Sequence, residues 1–373
     1  MKKKILIDAT GGTGWIGGIY YKKNILFSML QSKKIREKYD IDVVTNKEFA
    51  SIFEPFLGKI SLKELNCKKP AVKSLILGWW ALRDRYSYCY SSAGMIPSYL
   101  DKVVINWIPD FQHVYMSYMF TKFDVMYRKA NYRKYAFSRR PLVLSSNTSL
   151  MEFRKQYGNK KENVFVVHFV SYIEDEIRTI TSQTEDDILN KYGLSKKKYA
   201  CIMNQFWQHK NHIVVFKAIK ELYEKYPDSD ITFVFTGEMN DYRNPQYIEE
   251  LKSFLPSIEN HVKILGFIDR TDQIALMKNS EFVIQPSLFE GWGTVLEDAK
   301  VLDKTVLLSD IAVHREQKSD KCVLFDPNDH STLASVLYDE SRKEHIDDVE
   351  SGIKRMYENA LNYSEAFEEV LDV

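Results

Sequence analysis

Cysteine is scarce in this chain: four in 373 residues, Cys67, Cys89, Cys201 and Cys322, far apart and never in a C-x-x-C spacing. That pattern argues against a zinc site and a disulfide framework, and a reducing cytoplasm suits it best. No stretch approaches the roughly 20 apolar residues that a membrane-spanning helix needs. The opening "MKKKILIDATGGTGW" shares only its lysines with a signal peptide, because the apolar run behind them is short and contains Asp8. Internal repeats and low-complexity tracts are missing as well. With 45% hydrophobic and 28% charged residues, the composition is that of an ordinary folded protein and excludes a disordered or collagen-like chain.

What is present is length and an uneven charge. At 373 residues the chain is long for one core, so two domains are expected. Net charge is +1, yet residues 1–170 hold 29 Lys and Arg against 13 Asp and Glu, leaving 23 and 38 for the remainder. A basic first half suits an anionic partner such as acidic lipid, pyrophosphate or nucleic acid; a solvated face of chance composition is the plainer reading.

Short apolar, β-branched runs alternate with helical stretches almost throughout. In the first half they cover 3–9, 41–46, 102–108, 141–146 and 163–170; in the second, 199–204, 231–237, 261–267, 281–287 and 305–310. The alternation predicts an α/β fold of two Rossmann-like, doubly wound parallel-sheet domains, with ligands in the cleft between them at the carboxyl ends of the strands. The polar, acidic stretch 171–187 reads as the linker. A first domain over 1–175 and a second over 176–373 follow, with the last helix able to pack back on the first.

Several motifs stand at those carboxyl ends. Gly12-x-Gly14-x-x-Gly17 after the first strand matches the dinucleotide fingerprint, whose glycines let a backbone approach a phosphate closely. A nicotinamide site also wants an acid at the end of the second strand, which here ends Thr45-Asn46. The loop is expected to face a ligand, with NAD the weaker candidate and a purely structural turn the alternative. Asp228-x-Asp230 looks like a metal-carrying pair but precedes a strand, at the amino end, and reads as a helix-to-strand turn. In "NQFWQHKNH" (204–212), His209 and His212 lack an obvious third metal ligand, whereas Lys210 stands where the next helix begins. A cation beside free backbone N–H groups suits a diphosphate; an exposed loop lysine is the alternative.

"LFEGWGTVLEDAK" (288–300) invites two readings. Thr294 followed by Glu297 fits a capping box, in which Thr caps the helix and Glu reaches back to its N–H. That leaves Glu290 and the glycines around Trp292 unexplained. Carboxylates accept hydrogen bonds and donate none, so two of them near a strand's carboxyl end suit hydroxyl-rich ligands such as a hexose and a ribose, and the helix amino end favours the phosphates between.

Taken together, these residues resemble retaining glycosyltransferases of family 4 (glycosyltransferase group 1), with the GT-B fold of two Rossmann domains. The similarity is strongest over 199–317, through "NQFWQHKNH", "LGFIDR", "QPSLFEGWGTVLEDAK" and "LLSDIAVHREQ"; in the first half it rests on the Gly-rich loop, "NWIPDFQH" and "LSSNTS". The resemblance implies that Glu290 faces the hydroxyls of the donor sugar, Glu297 the ribose, and Lys210 the diphosphate. Gly266, Phe267 and Ile268 would border the base, and Gly291, Gly293 and Thr294 would lie at the phosphate end of their helix. Gly14 and Gly17 would line the cleft from the other side, and His113 of "PDFQH" looks like the family's active-site histidine; a core histidine is the alternative. Two departures matter. Six residues separate the glutamates where the commonest pattern has seven, so Asp298 is a second candidate for the ribose. Gln205 stands where the family usually has an arginine, which calls for another cation, His209 or Arg315, or for weaker donor binding.

The activity implied is retaining, metal-independent transfer of a hexose from a UDP-, GDP- or dTDP-sugar to a glycan hydroxyl, with no cofactor. For the acceptor, "TKFDVMYRKANYRKYAFSRR" (121–140) offers Lys122, Arg128, Lys129, Arg133, Lys134, Arg139 and Arg140 against one acid, interleaved with aromatics. Such a mixture suits the headgroup level of an anionic membrane. It predicts a cytoplasmic enzyme bound peripherally to the inner membrane face, extending a lipid-pyrophosphate-linked glycan in bacterial-type surface polysaccharide synthesis. No nucleic-acid-binding motif accompanies the patch. A nucleotide-sugar epimerase of the same architecture, a NAD-dependent oxidoreductase and an inactive sugar-binding subunit are the alternatives.

Overall fold

The computed structural model describes residues 2–11, 16–67, 69–91 and 104–372. The chain divides into two units, Met1–Tyr172 with Met356–Val373, and Ile173–Arg355. Each is built on a parallel sheet, as the alternation of apolar runs and helical stretches predicts.

The first unit holds β1 (Lys3–Ala9), β2 (Tyr39–Thr45), β3 (Ser61–Glu64), β4 (Tyr88–Ser91), β5 (Val104–Ile108), β6 (Leu142–Leu144) and β7 (Val164–Val166), in the order β3-β2-β1-β4-β5-β6-β7. Ile5, Leu6 and Ile7 of β1 are fully buried, the mark of a strand covered on both faces. The direction of winding reverses between β1 and β4, and ligands collect at such a switch point.

In the second unit β8 (Tyr199–Met203), β9 (Thr232–Thr236), β10 (Val262–Ile264), β11 (Val283–Gln285), β12 (Val306–Ser309) and β13 (Cys322–Phe325) run in the order β10-β9-β8-β11-β12-β13, so the switch point lies between β8 and β11. Its core packs Ile202, Phe233, Phe235, Ile284 and Leu307 of the sheet against Val215, Phe216, Ile219 and Leu222 of the helix His212–Lys225.

The stretch 171–187, read as the linker, contains the division between the units at 172/173 and is largely helical: it forms Glu174–Thr179 and the first part of Ser182–Tyr192. Ile173, Ile177 and Ile180, spaced four and three apart, are buried, and buried Glu185 is matched by Lys278 (2.5 Å) and Lys196 (3.0 Å). The polar composition hid a helical apolar stripe. Three strands, β3, β4 and β13, lie outside the ten anticipated runs. The long helix Val349–Leu371 enters the first unit at Met356, where Phe367 meets the Tyr90 ring edge-on at 5.4 Å and Lys34 pairs with Asp372 at 2.8 Å. Among the described residues no helix is long and apolar enough to cross a membrane.

Candidate active site

Strands β9, β8, β11 and β12 deliver their carboxyl ends side by side in the second unit. Asn204, directly after β8, donates from Nδ2 to Gln285 Oε1 at the end of β11 (2.8 Å). Asn211 takes a left-handed backbone (φ +56°) and donates to the carbonyls of Pro286 (3.2 Å) and Pro327 (2.8 Å), while Leu288 N–H donates to the His209 carbonyl (2.8 Å). These ties press the 204–211 loop against 286–290 and bring two predicted residues together: Lys210 Nζ lies 2.5 Å from Glu290 Oε1. The same oxygen accepts from Ser287 Oγ (2.7 Å) and Gln285 Nε2 (3.0 Å).

Burial alone would raise the pKa of Glu290, but Lys210, with His209 and His314 behind it, more than offsets this and holds it at about 2. Burial, reinforced by Lys210, pushes His209 and His212 down to about 3, and burial also lowers His314. At neutral pH the site therefore presents one ionised carboxylate, one ammonium and uncharged imidazoles. A buried acceptor ringed by donors is chemistry for holding hydroxyls in fixed directions, and the ammonium beside it is chemistry for an anion.

The helix Thr294–Val301 corrects the capping-box expectation. Gly293, not Thr294, is its N-cap, and Thr294 is its first helical residue. The cap comes from 24 residues away: Gln317 Oε1 accepts from Gly293 N–H (2.9 Å) and Gln317 Nε2 donates to the Gly293 carbonyl (2.8 Å). A Cβ on Gly293 would sit 3.4 Å from that Gln317 oxygen, so one neighbour of Gly293 is protein. Glu297, buried at the helix start, accepts from Lys300 Nζ and Gln317 Nε2, both at 2.9 Å. Asp298, the other candidate for the ribose, is fully buried against Arg270 Nη2 at 2.6 Å.

The remaining predicted residues of this unit scatter. Gln205 accepts Glu238 N–H at 2.9 Å. Arg315 is exposed and gripped by Asp310 through Nε (2.5 Å) and Nη2 (2.8 Å). Of the two cations offered to compensate for Gln205, His209 is held neutral by burial and Arg315 is ion-paired with Asp310. Gly266 (φ +69°) accepts Gly237 N–H at 2.8 Å after β10, and Phe267 beside it is exposed, with Ile268 half-buried. Gly291 is half-buried in the turn before the helix. Asp228 and Asp230 sit in the turn before β9, near Arg342 (3.4 Å) and Lys198 (3.2 Å) respectively. Sequence reasoning missed Asn204, Asn211, Gln285, Ser287 and Gln317; polar Gln285 and Ser287 inside the run "FVIQPS" were the one available signal.

In the first unit, Gly12 and Gly14 lie outside the described residues. Gly17 is exposed in the first turn of the helix Ile16–Gln31, and a Cβ placed there would meet nothing within 4 Å among the described residues. Asn46 Oδ1 accepts Gly11 N–H (2.9 Å), so an amide stands where a nicotinamide site wants an acid. His113, in the short helix Gln112–Tyr115 after β5, is fully buried, with Tyr132 edge-on at 5.0 Å and no hydrogen-bond partner for either ring nitrogen among the described residues. Burial, then Arg128 and Lys129, pushes its pKa down to about 4. On the helix Lys122–Phe137 and just beyond it, Lys122, Lys129, Arg133, Lys134 and Arg139 are exposed and Arg128 is half-buried over the Phe120 ring (4.9 Å). Arg140 is corrected: it is fully buried and belongs to no surface.

Residues 184–345 match the family described as Glycosyl transferases group 1. The chain is similar in structure to HepE of Anabaena, solved with UDP and glucose (TM-score 0.68, 15% identity, 97% of this chain and 95% of that one), and to a glycosyltransferase from Rickettsia africae ESF-5 (TM-score 0.66, 14% identity, 99% of each). A putative UDP-N-acetylglucosamine 2-epimerase from Listeria monocytogenes shares the fold at TM-score 0.60 and 14% identity over 100% of this chain and 95% of that one. A comparison with curated proteins finds none that matches. Residues 184–345, which hold the second sheet, thus match a group 1 glycosyltransferase domain, and the two parallel-sheet units have the GT-B fold of these neighbours.

Proposed function

We propose that the protein is a retaining glycosyltransferase of family 4 that moves a hexose from a nucleoside-diphosphate sugar to a hydroxyl of a lipid-linked glycan, without a metal. The carrying observation is the buried Glu290–Lys210 pair inside the group 1 domain, with Ser287 and Gln285 on the same carboxylate oxygen. HepE of Anabaena has been solved with UDP-glucose, which supports a nucleotide-sugar donor. Breaking the bond between sugar and diphosphate leaves negative charge on the phosphate; Lys210 and the amino end of the helix Thr294–Val301 would meet it with fixed donors in a water-poor site. Glu290 would hold the sugar hydroxyls, Glu297 the ribose, and His113, held neutral by burial and with ring nitrogens that have no hydrogen-bond partner among the described residues, would position the transferred sugar for front-face attack by the acceptor.

The inner face of an anionic membrane is the proposed location. Right-handed crossovers from β3 to β4 and from β5 to β6 run in one direction across the first sheet, so the helices Pro70–Arg83 and Lys122–Phe137 cover the same face. Leu75, Trp79 and Leu82 on the first and Phe123, Met126 and Phe137 on the second are exposed, interleaved on the second with the basic side chains. Apolar and basic groups mixed on one face suit a headgroup layer. The test is a panel of labelled UDP-, GDP- and dTDP-sugars offered with anionic liposomes carrying a lipid-pyrophosphate glycan. Transfer from one donor, and sedimentation with those liposomes that weakens in Arg133→Glu, is expected. Conversion of the donor without acceptor would favour the epimerase, and failure to sediment at low salt would remove the membrane location.

A further inference from the structure

The donor site, on the reading above, is short of positive charge. A diphosphate brings at least two negative charges, while the Lys210 ammonium is matched by Glu290 at 2.5 Å and Gln205 is neutral. One other cation is built into the same ledge. The loop after β9 is stitched to the loop after β8: Phe206 N–H donates to the Glu238 carbonyl (3.3 Å), Gln208 N–H to Asp241 Oδ2 (3.0 Å), and Asn244 Nδ2 to Gln208 Oε1 (2.9 Å). Asp241 is fully buried and also accepts from the backbone N–H (3.1 Å) and Nε (3.3 Å) of Arg243. The guanidinium lies 4.8 Å over the Trp207 ring, its side chain 14% exposed, and its charge reaches His209, the neighbour of Lys210, helping to hold that imidazole neutral. A planar fork fixed by a carboxylate at one nitrogen and by an indole face beneath it is organised in advance for phosphate oxygens.

We propose that Arg243 is the second cation of the donor diphosphate site, filling the place that Gln205 leaves, with Asp241 and Trp207 as its positioning residues. The proposal rests on the nucleotide-sugar reading, and the test separates the two. Calorimetry compares wild type, Arg243→Gln and Arg342→Gln against whichever of UDP, GDP and dTDP the wild type binds best. Arg243→Gln is expected to weaken binding about ten- to a hundred-fold, the loss of one charge-assisted contact, while Arg342→Gln, beside Asp228 at the amino end of β9, leaves it unchanged. Phenylglyoxal labelling of the wild type, mapped by mass spectrometry, gives a readout that needs no variant to fold: the nucleotide is expected to shield Arg243 and not Arg342. Unchanged affinity in folded Arg243→Gln, or equal labelling of Arg243 with and without nucleotide, overturns the assignment. A wild type that binds no nucleoside diphosphate overturns the donor reading instead.

Discussion

Glu290 and Lys210 hold opposite charges 2.5 Å apart in a largely buried place. Each is largely buried, so each needs the other, and removing one partner of such a pair leaves a charge that costs about 3–5 kcal/mol. Lys210→Met is therefore expected to lower stability by roughly that order and to cut sugar transfer more than tenfold; Glu290→Gln, which keeps the shape and part of the hydrogen bonding, should lose the activity with less damage to the fold. Steady-state rates at saturating donor, alongside thermal melting, check both. Near-normal rates in a folded variant contradict the roles. Glu297 carries a subtler lesson. Its sequence neighbour Thr294 suggested a cap, yet the side chain that fastens it and Gly293 is Gln317, 20 and 24 residues away, and no local pattern announces such a partner.

The loops after β8 and β9 act as one element, and Gly237 is where they touch. Its φ is +99°, and a Cβ there would lie 2.4 Å from the Asn204 carbonyl oxygen, a contact with backbone that cannot swing away. Gly237→Ala is expected to cost about 2–4 kcal/mol and to weaken nucleotide binding, because the ledge carrying Gln205, Gln208 and Lys210 would have to move. Urea denaturation measures this; an unchanged midpoint contradicts it. The sheets were largely legible in the sequence because both-face burial demands continuous apolar, β-branched runs, and the ten that stood out all contain strands. Those not anticipated have identifiable reasons: β3 and β13 are four-residue edge strands, mostly half-exposed or exposed, and β4 reads "YCYS", an aromatic–polar run without a β-branched residue. At the site, Lys210 and Glu290 were legible because they lie in the loops that follow β8 and β11. Asp241 and Arg243 were not, because their meaning lies in contacts with Gln208 and Trp207 more than 30 residues away.

Across the whole molecule, the uneven titration of buried groups gives a signature in pH. His113, His209 and His212 are held near 4, 3 and 3, whereas an unfolded histidine takes its proton near 6.5. Below that pH the unfolded chain binds more protons than the folded one, so stability falls as pH drops from about 6.5 towards 3 to 4. Glu290 acts only lower down: its depressed pKa gives stability that is present above about 4.5 and lost between there and about 2. Melting temperature is therefore expected to decline steadily from pH 7 to pH 5, before the carboxylate contributes, and a flat profile over that range contradicts the burial of neutral histidines. The central claim, that a nucleoside diphosphate is the ligand of the second unit, is tested most directly by calorimetric titration of the purified protein with UDP, GDP, dTDP and NAD. Tight binding of one nucleoside diphosphate, lost in Glu297→Ala, is the predicted result; binding of NAD alone, or of none of the four, contradicts it.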